Sequence, residues 1–149
     1  MLPEIIEQFE QMSFEEVCTF IDALEKIALT LPQVPMPVTH HFSKGLYGRE
    51  LLVPAGTYIG GKIHKFENFN ILSQGEMLLF SIEGRKRVKA PFHIVSPAGV
   101  KRVAIALEDC TWTTIHATEE TNIDKIEEEV IVKSYDQLPV EDRQWLGQR

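Results

Sequence analysis

Cysteine is scarce in this chain. Cys18 and Cys110 are the two present in 149 residues, and neither belongs to a C-x-x-C pair. That argues against a disulfide framework and a cysteine-built zinc cluster. Both are expected to be free, buried thiols in a reducing compartment. Positive charge is also short: 15 Lys and Arg against 22 Asp and Glu leave a net charge of −7. A general nucleic-acid binder needs a basic surface, so that class is set aside. The local exception, Arg85, Lys86, Arg87 and Lys89, reads as a solvated hairpin strand. No apolar run approaches the length that spans a bilayer. The start, M-L-P-E-I-I-E-Q, lacks the basic residues and long apolar stretch of a signal peptide, so a cytoplasmic protein with no membrane partner is expected. A G-x-S-x-G elbow, a P-loop and a dinucleotide fingerprint are all missing. The glycines between Gly56 and Gly61 are not followed by G-K-[ST]. Internal repeats and low-complexity segments are missing too.

What is present fits one domain with a sizeable core. Residues 1–37 read as a helical arm and connector, 38–118 as a β-domain and 119–149 as a C-terminal extension. In the arm, Pro3 suits a first helical position, and Ile5, Ile6, Phe9 and Met12 share one face over 3–12. Ser13 and Glu16 have capping-box spacing and start a second helix. Phe14, Val17, Cys18, Ile21, Leu24, Ala28 and Leu31 form its apolar stripe. The stripe has two possible partners: the β-domain of its own chain, or another subunit or protein. Pro32, Pro35 and Pro37 then impose an extended connector.

From 46 to 117 the chain reads as short strands divided by turn residues, which indicates a β-sandwich or barrel. The expected strands are 47–53, 57–64, 69–72, 76–82, 85–89, 92–95, 101–107 and 110–117. Two hairpins are expected, around Glu83-Gly84 and around Glu108-Asp109. Gly60-Gly61 marks a bulge or a close backbone approach. His40 and His41 are adjacent, so at most one can face a pocket. Thr121 and Asp124 have cap-like spacing before a short helix lined by Ile123, Ile126 and Val130. Beyond it, Trp145 is out of place in a free tail and is expected to dock on a surface.

The stretch from Gly56 to Gly75, G-T-Y-I-G-G-K-I-H-K-F-E-N-F-N-I-L-S-Q-G, places Lys62, His64 and Asn68 on even positions. In a continuous strand they would share one face, followed by a glycine turn. This spacing resembles the first cupin motif, G-x5-H-x-H-x3-E-x6-G. Pro97-Ala98-Gly99-Val100-Lys101-Arg102 resembles the second, P-x-G-x2-H. The resemblance covers roughly residues 38–118 and implies a mainly β protein, a jelly-roll β-sandwich, carrying here an N-terminal helical arm and a short C-terminal helix. The segments T-H-H-F and W-T-T-I-H also resemble small cupins encoded by tailed bacteriophages, which would imply host cytoplasm or a virion. Many cupins bind a metal through three His and one Glu. Here those positions hold Lys62, His64, Asn68 and Arg102.

Those substitutions change the expected chemistry. A protonated Lys62 repels a cation, Asn68 offers a neutral oxygen and Arg102 cannot ligate. No cofactor is expected. A divalent transition metal would need replacement ligands, for which His93, His116 and then Glu67 are candidates beside His64. Trp112, Thr114 and His116 share a strand face, which the bulk of Trp112 marks as inward; His93 shares a face with Val95, also read as inward. Lys62 and Arg102 beside a histidine would favour an anionic ligand, unless Glu67 or Glu108 neutralises them. The ligand-binding set is therefore Lys62, His64, Asn68, Arg102, Trp112 and His116. Three functions stay open: a non-catalytic structural or interaction protein that self-associates, first as a dimer; a small anionic-ligand binder; and a metal-dependent enzyme with a non-standard ligand set. A protein partner could dock through the arm.

Overall fold

A computed structural model describes residues 7–8, 11–81 and 84–132; of some side chains in the first helix nothing is described. Helix α1, Phe14–Thr30, starts where the capping box puts it. Glu16 N–H donates to Ser13 Oγ (3.2 Å), and Ser13 N–H donates to Glu16 Oε2 (2.7 Å). These two bonds satisfy backbone donors that the first helical turn cannot. Most of the expected helix over 3–12 lies outside the described residues. So do the side chains of Phe14, Val17, Cys18, Ile21 and Leu24 on the apolar stripe, and Trp145. Polar contacts among the described residues join the arm to the β-domain. Arg85 Nη1 donates to Met12 O (3.0 Å), and Lys101 pairs with Glu25.

The strands follow in chain order as β1 Val38–Ser43, β2 Leu46–Val53, β3 Tyr58–Gly60, β4 Ile63–His64, β5 Asn68–Gln74, β6 Glu76–Ser81, β7 Gly84–Lys89, β8 Phe92–Ser96, β9 Val103–Ala106, β10 Cys110–Ala117 and β11 Ile131–Val132; helix α2, Ile123–Val130, lies between the last two strands. Antiparallel pairing builds a five-stranded sheet, β1-β2-β10-β5-β8, a four-stranded sheet, β3-β9-β6-β7, and a two-stranded ribbon, β11-β4. The main core contains Leu51, Val53, Leu72, Met77, Leu79, Val88, Ala104, Ala106 and Cys110, drawn from both larger sheets. Period-two alternation explains it: in β2, Tyr47, Leu51 and Val53 are buried while Leu46 and Leu52 are exposed. Cys110 is a free, buried thiol.

Three expectations need correction. The strand over 57–64 is broken, with β3 in the four-stranded sheet and β4 in the ribbon. The cause is Gly61, whose N–H donates to Arg102 O at 2.9 Å. A Cβ at Gly61 would stand 2.1 Å from that oxygen, so only glycine permits the approach. Next, β9 and β10 do not form a hairpin. The Glu108-Asp109 turn carries the chain from one sheet to the other. Gly75 does the same between β5 and β6, at φ 90° and against Asp109 O. Finally, the cap of α2 is Asn122 rather than Thr121, with Asn122 Oδ1 accepting from Lys125 N–H (3.1 Å).

Candidate functional site

The inner face of the five-stranded sheet can be read row by row from its register. One row runs Val38, Leu51, Trp112, Leu72. The next runs His40, Arg49, Thr114, Asn70, and the third pairs Tyr47 with His116 and Asn68 with Ser96. The face therefore changes from apolar to polar over two strand steps, about 13 Å of strand. A cavity of about 360 Å³ opens over it, within the size range of small-ligand sites. Met77, Leu79, Ile59 and Ala104 supply the opposite apolar wall, and Ile123, Ile126 and Val130 of α2 close another side.

All six residues of the expected ligand set, Lys62, His64, Asn68, Arg102, Trp112 and His116, line this cavity. They do so without the continuous strand that would have aligned 62, 64 and 68. The two motif loops are tied together instead: Gly99 N–H donates to His64 O (2.9 Å), and Gly61 N–H to Arg102 O. Lys62 sits at the rim, with its side chain 64% exposed. His93 is different. It and Val95 are exposed on the outer face of the sheet, where His93 stacks on Phe69 (centroids 5.8 Å apart). The flat alternation of β8 puts Phe92, Ile94 and Ser96 on the other side. Glu67 and Glu108 are exposed and outside the lining. The carboxylate that meets Lys62 is Glu127 of α2, at 3.9 Å.

The buried polar groups are linked. Asn70 Nδ2 donates to Asn68 Oδ1 (2.8 Å) and Ser96 Oγ (2.9 Å), and Thr114 Oγ1 donates to Asn70 Oδ1 (2.8 Å). Arg102 Nη1 also donates to Ser96 Oγ. Asn70, Ser96, Arg49 and Tyr47 escape the motif reading because they lie outside the quoted motif positions. Period-two alternation from Asn68 could have found Asn70.

His64 and His116 stack with centroids 4.9 Å apart and planes 19° apart. Burial, then the neighbouring His116, Arg49 and Lys62, push the His64 pKa down to about 3. Burial also lowers that of His116, partly opposed by Glu129. Both rings are thus neutral near pH 7. His64 Nδ1 is buried without a partner. A bare lone pair there costs less than an orphaned N–H, which favours the proton on Nε2.

The metal that many cupins carry does not fit this donor set. Among the described lining residues His64 and His116 are the two imidazoles, fewer than the three or four protein ligands that a first-row transition metal normally takes. Arg49, Lys62 and Arg102 stand around the same space, and among the described residues no group of three or more His, Cys, Asp or Glu could hold a metal ion.

No protein-family model and no curated protein matches the chain. Solved structures do resemble it. A cupin superfamily protein from Desulfitobacterium hafniense is similar with a TM-score of 0.51 and 9% identity, over 58% of this chain and 81% of that one. KdgF from a Halomonas species is similar with a TM-score of 0.50 and 15% identity, over 65% and 88%. Salicylate 1,2-dioxygenase from Pseudaminobacter salicylatoxidans is similar with a TM-score of 0.54 and 11% identity, over 78% of this chain and 35% of that longer one. At these identities the likeness is one of architecture: the chain has a mainly β, cupin-type sandwich fold.

Proposed function

We propose that the protein is a non-catalytic cupin-fold protein whose cavity holds a small organic anion without a bound transition metal. The observation that carries this reading is the charge of the lining. Among the described residues of the lining, the cations are Arg49, Lys62 and Arg102 and the carboxylate is Glu127, in a chain whose net charge is −7. A positive pocket in an acidic protein attracts an anion selectively, because the rest of the surface repels it. The neutral His64–His116 pair adds hydrogen-bonding capacity without adding charge. Thermal-shift measurements with mono- and dicarboxylates, phosphate esters and neutral amides of matched size test the reading. Stabilisation by anions above neutral analogues is expected. Equal shifts, or no shift with any anion, would refute it.

A second reading, self-association, is favoured by a different observation. Ile115, Phe69 and Val95 lie in one register row on the outer face of the five-stranded sheet. Phe69 is 37% exposed and Val95 47%. Such an apolar row on a solvent face suits burial against a second copy. A structural role, cytoplasmic or virion-associated, would belong with this reading; the likeness to phage cupins rests on the T-H-H-F and W-T-T-I-H segments.

A further inference from the structure

We infer that the cavity selects a monocarboxylate with an apolar, ring-sized body, anchored on Arg49 and lying against Trp112. The inference rests on the anion-binding reading above and narrows it. The three cations of the lining are not equivalent. Lys62 meets Glu127 at the rim, 3.9 Å away. Arg102 donates to Ser96, within the polar network of Asn68, Asn70 and Thr114. Arg49 makes no ion pair or hydrogen bond among the described side-chain contacts, and its neighbours across the sheet are His40 and Thr114. One uncommitted guanidinium suits one carboxylate, which it can hold through two parallel N–H donors.

The register sets the body of the ligand. Arg49 stands opposite Thr114, and two residues along the same strands Leu51 stands opposite Trp112. Two residues of strand span about 6.5–7 Å. A carboxylate on Arg49 therefore places the next several carbons over Leu51 and Trp112, with Met77 and Leu79 on the facing wall. Among the described residues nothing charged lines that end: the core cluster there consists of apolar side chains and Cys110. A second anionic group directed into it would lose its hydration with no partner. A short acid such as acetate would reach Arg49 and leave the apolar wall uncovered.

The test uses benzoate, acetate, benzamide and inorganic phosphate as probes on the full chain. Binding is read by thermal shift and by Trp112 fluorescence in a Trp145→Phe background. Benzoate should bind at least about tenfold more tightly than acetate, benzamide or phosphate and should alter Trp112 emission. Arg49→Gln should weaken benzoate by about tenfold or more, with part of the loss recovered in Arg49→Lys. Arg49 is exposed, so these variants are expected to fold. Acetate or phosphate matching benzoate would overturn the inference and leave the anion-binding reading standing. Benzamide matching benzoate would overturn both. Full benzoate affinity in Arg49→Gln, or no binding of benzoate to the wild type, would overturn the inference, and the wider anion panel then decides the broader reading by itself.

Discussion

Acidification is the sharpest physical probe of the cavity. His64 has an ordinary value of 6.5 that the fold pushes down to about 3, with burial as the main cause. A depressed histidine pKa means that the unfolded chain binds the proton more readily than the native one. Its contribution to stability is therefore complete above the unfolded value and is lost as pH falls from 6.5 toward 3. Each pH unit well inside that window costs about 1.4 kcal/mol, so the loss from pH 7.5 to pH 5 is about 2 kcal/mol for His64 alone. His116, shifted in the same direction by burial, adds to it. Against a typical domain stability of about 5–15 kcal/mol, this is a large change before most carboxylates begin to titrate. Urea unfolding at pH 7.5, 6 and 5 should show the midpoint falling steadily at constant m-value. In His64→Gln, which cannot titrate at that position, most of that pH dependence should vanish, whatever the variant's starting stability. A wild-type midpoint that stays level from pH 7.5 to 5, or a His64→Gln slope equal to that of the wild type, would refute the burial argument.

Other outcomes follow from the same geometry. Elemental analysis of protein purified without chelator should find far less than one Fe, Mn, Ni or Zn per chain; a near-stoichiometric metal lost in His64→Ala would contradict the donor-set argument. Gly61→Ala should destabilise the fold by about 2–4 kcal/mol, because its Cβ would meet Arg102 O at 2.1 Å; an unchanged denaturation midpoint would show that the loop is not held there. Light scattering at high micromolar concentration should give more than the monomer mass for the wild type. Phe69→Asp should restore the monomer with the β-domain still folded, and a monomeric wild type would remove the self-association reading.

Local rules written in the chain determined much of this protein. Alternation and turn residues specify a sandwich of short strands, the Ser13 and Glu16 pair starts α1, and the spacing of Gly56, His64 and Gly75 with Pro97 and Gly99 marks the two loops that meet. Residue chemistry alone also says that Lys62, Asn68 and Arg102 are poor company for a metal. What it could not say is which groups share the cavity. Arg49 and Tyr47 come from a strand with no motif, and Glu127 comes from a helix beyond the β-domain. His93 shows the converse. Its alternation with Val95 is real, but a period of two says only that they share a face, not which face is inward. That choice is made by sheet pairing, since Phe69 opposite Val95 fixes the outer surface. The stacking of His64 on His116, and with it the neutral charge of both rings, needed β4 and β10 brought together in space. Long-range strand pairing and burial decide such contacts, and neither is encoded at any single position.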